Sequence, residues 1–227
     1  MLWSNNTFEG SDVHVAVWHI IEDEETLLAQ LAEAQCAEAF AVVQKGLPAF
    51  HNPGRRREWL AVRLLVATCL GGDKTVSYDP DGRPFLTDRS CEISISHTKD
   101  YAALAWHLFR PVGVDVERKS DRVMRVVRKY VNAGEQTALE SSRYCSPDGE
   151  LLLWTAKEAL YKAVGIRSLD CLEELSVDVP MNPVPSVGAM PEVWDLTSAR
   201  CSANHAGYNV WFCFTNDIVL SLCIEQL

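Results

Sequence analysis

The sequence predicts an α+β chain, and three observations carry that reading. Short runs of β-prone residues recur in both halves, helical runs with apolar spacing near three and four stand between them, and two strand-like runs are joined by a loop short enough for a hairpin. The 227 residues suit one large domain or two small ones. With 48% hydrophobic and 23% charged residues the composition is that of an ordinary globular chain, which argues against disorder, collagen-like repeats and low complexity. No apolar run approaches the ~18 residues of a membrane helix. The N-terminus lacks a basic stretch followed by an apolar one, so no secretory signal and a cytoplasmic location are expected. A net charge of −10 and a pI near 5.1 speak against a nucleic-acid partner.

Taken in order, residues 13–20 alternate and read as a strand, and residues 22–45 read as one long helix. The turn cluster His51-Asn52-Pro53-Gly54 precedes a second helix from Arg55, which Gly71-Gly72 ends. Asp79-Pro80-Asp81-Gly82 is a turn. Two strands, 92–97 and 101–106, flank the hairpin loop Thr98-Lys99-Asp100, and 112–117 is a third strand. Apolar positions at 123, 126, 127, 130 and 131 predict a helix over 121–131, another helix spans 151–164 with Gly165 as C-cap, and two strands close the chain. Short echoes between the halves, such as Arg57-Glu58-Trp59-Leu60 and Lys157-Glu158-Ala159-Leu160, hint at a duplication but are brief enough to arise by chance.

The 8 cysteines form no CxxC pair, so zinc motifs find no support, and several sit among apolar residues as expected of buried free thiols in a reducing compartment. Phosphate-cradling glycine loops, GxSxG elbows and HExxH helices are missing from the sequence.

Four segments could carry chemistry. In Gly113-Val114-Asp115-Val116-Glu117, strand periodicity puts Asp115 and Glu117 on one face, where two carboxylates need a cation or solvent. Carboxylate oxygens suit Mg²⁺, and a solvated edge-strand face explains the same spacing equally well. In Trp154-Thr155-Ala156-Lys157-Glu158-Ala159-Leu160-Tyr161-Lys162, Glu158 and Lys162 are helical neighbours, able to serve a metal and a phosphate or simply to form a surface ion pair. His97, in Ser94-Ile95-Ser96-His97-Thr98, ends a strand, where an imidazole could meet an anion or be structural. Arg55-Arg56-Arg57, with Arg63 further along and Arg83 in Gly82-Arg83-Pro84-Phe85, places guanidinium groups at the unfavourable positive end of a helix dipole, an awkwardness that a bound phosphate would remove.

In that order the segments resemble the 4′-phosphopantetheinyl transferase superfamily, whose Gly-Val-Asp-Val-Glu and Trp-x-x-Lys-Glu-Ala-x-x-Lys pair is specific. The length is similar to the surfactin-type class, with two similar halves in one chain. The departure is Val62, where many members have glycine.

The resemblance implies two halves related by a pseudo-twofold, each an antiparallel sheet packed with helices, at 1–110 and 111–227, with the site between them. The first half would carry basic residues for coenzyme A, the second the acidic metal ligands and the carrier surface. The implied reaction moves the phosphopantetheine arm of coenzyme A to a serine of an acyl or peptidyl carrier protein and releases 3′,5′-ADP.

Asp115, Glu117 and Glu158 match the family's Mg²⁺ ligands, Lys162 its pyrophosphate contact, and Ser96, His97 and Arg83 its coenzyme A contacts. Lys157 is grouped with these. Arg56, Arg57 and Arg63 all remain open as the phosphate-binding basic residue. The resemblance makes Asp115, Glu158 and Lys162 the catalytic set. The carrier, usually acidic, would need a local basic surface on this acidic chain, and Arg122, Arg125, Arg128 and Lys129 offer one. A monomer is expected. A Mg²⁺-dependent phosphoesterase using the same acidic trio, and a non-catalytic coenzyme A or carrier-binding module, are the rival readings.

Overall fold

In the computed structural model the chain opens on β1 (Leu2–Phe8), which pairs antiparallel with β2 (Val13–His19). The structure describes residues 1–8, 10–120, 125–126, 129–142, 144, 146–180, 191 and 193–226. By internal contacts the chain divides into two units, Met1–Phe109 and Arg110–Leu227.

In the first unit the single helix expected at 22–45 is two, α1 (Glu24–Ala34) and α2 (Ala37–Gly46). Gln35 and Cys36 are extended between them, because the Cys36 N–H is taken by the Gly72 carbonyl at 2.9 Å. That approach is close: a Cβ on Gly72 would sit 2.2 Å from the Ala34 carbonyl oxygen.

Next comes α3 (Pro53–Leu70). The Asn52 side chain caps its Arg55 N–H at 3.1 Å, and Pro53 occupies the first turn, where its missing N–H matters least. The small strands β3 (Val76–Tyr78) and β4 (Pro84–Leu86) flank the Asp79–Gly82 turn. β5 (Glu92–Thr98) and β6 (Tyr101–His107) form the expected hairpin, with Asp100 in the left-handed region at φ 66°. The sheet order is β1-β2-β6-β5, all antiparallel. Leu60, Ala61, Leu64 and Leu65 of α3 bury against Ala16, Trp18, Ala102 and Leu104 of the sheet. Burial of this kind gives about 1.5–3 kcal/mol for each large apolar side chain.

The second unit starts with β7 (Val112–Arg118), followed by α4 (Ala133–Ser141) and α5 (Asp148–Val164). α4 was not expected, although Asn132-Ala133-Gly134-Glu135 spells its capping box. α5 ends where Gly165 adopts φ 66° and returns its N–H to the Tyr161 carbonyl. β8 (Leu175–Val177), β9 (Asp195–Cys201), β10 (Ala206–Phe214) and β11 (Ile218–Glu225) complete an antiparallel sheet of order β7-β11-β10-β9-β8. Leu153, Ala156, Leu160 and Ala163 of α5 pack on Tyr208, Val210 and Cys223.

The helix expected at 121–131 falls largely outside the described residues. Its described members include a short 3₁₀-type bond from the Lys129 N–H to the Val126 carbonyl. No helix among the described residues is long and apolar enough to cross a membrane. Seven described cysteines are free thiols, but only Cys201, Cys213 and Cys223 are buried, and Cys36 is exposed. The expectation of buried thiols therefore needs correcting for Cys36, which sits at the exposed start of α2.

Candidate active site

The second unit builds its site from one edge strand and one helix. β7 lies at the sheet edge beside β11, and strand periodicity gives Gly113, Asp115 and Glu117 a common face. A Cβ on Gly113 would stand 1.8 Å from the Ala159 carbonyl oxygen and 2.8 Å from the Ala163 nitrogen, so this face looks onto α5 at backbone contact distance. Only glycine permits that approach, and the approach brings Asp115 and Glu117 towards the helix. A buried hydrogen bond between Thr155 Oγ1 and Ser221 Oγ, 2.8 Å, ties α5 to β11 beside Asp115, whose register partner is Ser221.

The charges on this face are coupled. Lys162 donates to Asp115 Oδ1 and to the Val114 carbonyl, both at 2.8 Å. Asp115 is buried, and its ion pair with Lys162 supplies charge compensation that burial otherwise denies. The Glu158 carboxyl is pushed above its usual range, first by burial and then by Asp115, with Glu117 adding to the rise and Lys162 opposing it. Carboxylate oxygens suit a hard divalent cation in kind. Among the described residues, however, no three His, Cys, Asp or Glu side chains are gathered closely enough to share one ion, and Lys162 is the cation on Asp115.

Lys157 needs a correction. Grouped with the coenzyme contacts, it is instead completely buried. Its ammonium donates to the Tyr130 carbonyl at 2.6 Å and the Cys171 carbonyl at 3.0 Å, and pairs with Glu135 at 2.8 Å. These partners use its three donors and leave none for a ligand. Glu135 also accepts from the Val177 and Asn132 N–H groups, so the pair joins α5, α4 and β8.

In the first unit His97, at the end of β5, meets the start of α3. Arg55 Nη1 lies 3.1 Å from His97 Nδ1 and 3.3 Å from Nε2, while Glu58 pairs with Arg55 at 3.0 Å and with His97 at 3.2 Å. Sequence reasoning did not put Arg55 among the site residues and missed Glu58. The i, i+3 spacing of the pair was visible, whereas nothing local joined it to a histidine 42 positions away.

Of the three arginines left open, Arg56 is engaged by both oxygens of Glu24 and by the Leu47 and Phe50 carbonyls. Arg63 is buried with its guanidinium 3.8 Å from the Trp59 ring centre. Arg57 has no hydrogen-bond or ion-pair partner among the described residues. These contacts give Arg56 and Arg63 structural work and leave Arg57 the uncommitted member of the three. Arg83 pairs with Glu92 at 3.4 Å, and Ser96 is buried in β5. Of the basic residues expected to meet a carrier, Arg125 and Lys129 are exposed, and Arg122 and Arg128 lie outside the described residues.

Residues 111–223 match the family model of the 4′-phosphopantetheinyl transferase superfamily, and the chain belongs to that superfamily. Among its relatives, the 4′-phosphopantetheinyl transferase AcpT of Salmonella typhimurium is 30% identical over 118 residues, which cover 49% of this chain and 60% of that protein. The 4′-phosphopantetheinyl transferase gsp of Aneurinibacillus migulanus is 32% identical over 87 residues, 37% of this chain and 35% of that protein. The matches thus span less than two thirds of the length of these relatives.

Proposed function

We propose that the chain is a Mg²⁺-dependent 4′-phosphopantetheinyl transferase of the surfactin-type, two-half class, converting an apo carrier protein to its holo form. The observation that carries the reading is the electrostatic neighbourhood of Asp115, Glu117, Glu158 and Lys162 inside the stretch that matches the superfamily. The two compact units in one chain support the class.

In this reading Asp115, Glu117 and Glu158, which are not gathered closely enough here to share one ion, would have to draw together to hold the divalent cation. Bound there, it would offset the negative charge of the coenzyme pyrophosphate, which otherwise repels an incoming oxygen. The carrier serine Oγ forms a bond to the phosphorus that bears the pantetheine arm. The bond from that phosphorus to the bridging oxygen breaks, and 3′,5′-ADP leaves with the electron pair. Glu158 takes the serine proton. Lys162 steadies the charge that grows on the departing diphosphate. His97 and Ser96 answer to the 3′-phosphate side of coenzyme A and Arg83 is a further contact to the coenzyme, with Arg55 and Arg57 as additional guanidinium donors.

The test is incubation with coenzyme A, Mg²⁺ and an apo carrier, read by mass spectrometry. The carrier should gain ~340 Da, the phosphopantetheine arm itself, and Asp115→Ala should lower the rate by two orders of magnitude or more, roughly what loss of a single electrostatic group does in an active site. Hydrolysis of coenzyme A with an unmodified carrier would favour a phosphoesterase, and binding without turnover would favour a non-catalytic module. Normal transfer by Asp115→Ala would contradict the proposed mechanism.

A further inference from the structure

Lys162 serves the departing diphosphate in the reading just given, yet its ammonium is already committed to Asp115. Two of its three donors go to the Val114 carbonyl and Asp115 Oδ1, each at 2.8 Å, and no further hydrogen bond engages it among the described residues. The Lys162 side chain is 29% exposed and not sealed in as Lys157 is. Asp115, with a side chain only 8% exposed, needs a cation beside it. A divalent cation taken up by the same carboxylate would repel the ammonium.

We propose that Lys162 is an exchangeable counter-ion: it neutralises Asp115 in the metal-free protein and passes to the coenzyme pyrophosphate when a divalent cation takes over Asp115. The inference rests on the proposed transferase reading and adds a coupling to it. While Asp115 holds Lys162, coenzyme A meets a lysine that is not available to it. While Lys162 sits on Asp115, a divalent cation meets a carboxylate that is already paired. Each ligand therefore removes an obstacle to the other, and by linkage the two cooperate through this one side chain.

The test is calorimetric and needs no turnover. Coenzyme A affinity is measured in EDTA and at saturating Mg²⁺, and the ratio of the two dissociation constants gives the coupling factor. Lys162→Met should lower that factor at least about fivefold, the low end of ordinary coupling between sites. A lysine that stayed in place would repel the cation, so its removal would leave the factor unchanged or raise it, and either result overturns the exchange.

Should Lys162→Met fail to fold, Asp115→Asn gives the second measurement. Freed from its holder, Lys162 should tighten metal-free coenzyme A binding at least about fivefold, in the same coupling range. The charge-matched Glu117→Gln, which removes no bond to Lys162, should give a smaller gain. Equal gains from the two variants would be a field effect and would overturn the proposal. Wild-type protein that binds no coenzyme A even with Mg²⁺ would instead sink the transferase reading, whereas wild-type binding with an unaltered coupling factor in Lys162→Met sinks the exchange alone.

Discussion

A glutamate that is to accept a proton near neutral pH gains from an environment that disfavours its anion, and Glu158 has one. Burial is the first cause, Asp115 and Glu117 add to it, and Lys162 works against it. Tyr130 and Cys171 both feel the Glu158 charge, which raises them in turn after burial. Because the folded pKa lies above 4.5, the folded chain holds this proton longer than the unfolded one does. Stability is then unaffected below the unfolded value and falls as pH rises from there through the folded value. Glu158→Gln removes that loss. In urea unfolding with EDTA, the variant should match wild type near pH 4 and exceed it at pH 8, and a difference that does not change with pH would contradict the assignment. At this scale Asp115 and Glu117 were legible because a strand's period of two fixes their common face. Lys157 was misread although a signal existed: it lies between Leu153 and Leu160 at i+4 and i−3, on the apolar stripe and a different side of the helix from Glu158. Its partner Glu135 is 22 positions upstream (157 − 135), beyond any helical spacing rule.

At the scale of elements, the site depends on how closely β7 lies against α5. Gly113→Ala would force a methyl into a gap that leaves 1.8 Å to a backbone oxygen, and backbone cannot rotate aside as a side chain can. The variant should lose about 3 kcal/mol or more, the upper range for overpacking, read as a lower midpoint in denaturant. If it folds, strand and helix must move apart, and Lys162 should no longer reach both the Val114 carbonyl and Asp115. Unchanged stability would show that the contact relaxes without strain. Elements with their own periodicity, such as β2, α3, β5, β6 and α5, were legible in the sequence. Those that exist through pairing were not: β1 is Asn-rich with no buried residue, and β9 is a strand because β10 lies beside it. The break between α1 and α2 was hidden for the same reason, since the group that ends α1 is the Gly72 carbonyl, far along the chain.

For the whole molecule the problem is charge. The chain carries 21 basic and 31 acidic residues, and a carrier of the usual acidic kind would be repelled at distances beyond any contact. Docking then needs a basic area whose short-range attraction outweighs the net field. The run from Arg122 to Lys129 concentrates basic residues, and Arg125 and Lys129 are exposed. If the proposed carrier docks there, Arg122→Glu with Arg125→Glu should raise the carrier KM by about tenfold, through slower association, because charges at an interface rim act chiefly on encounter. Coenzyme A affinity, measured directly by calorimetry, should stay within about twofold, since neither residue is placed among its contacts. Salt separates this from a mere loss of fold. Raising ionic strength from low to physiological shortens the screening length to about 8 Å, so the wild-type carrier KM should rise and the variant's, now set by repulsion, should fall, which brings the two together. A variant that instead binds coenzyme A poorly and keeps its carrier KM would remove the docking assignment and make the segment part of the coenzyme site.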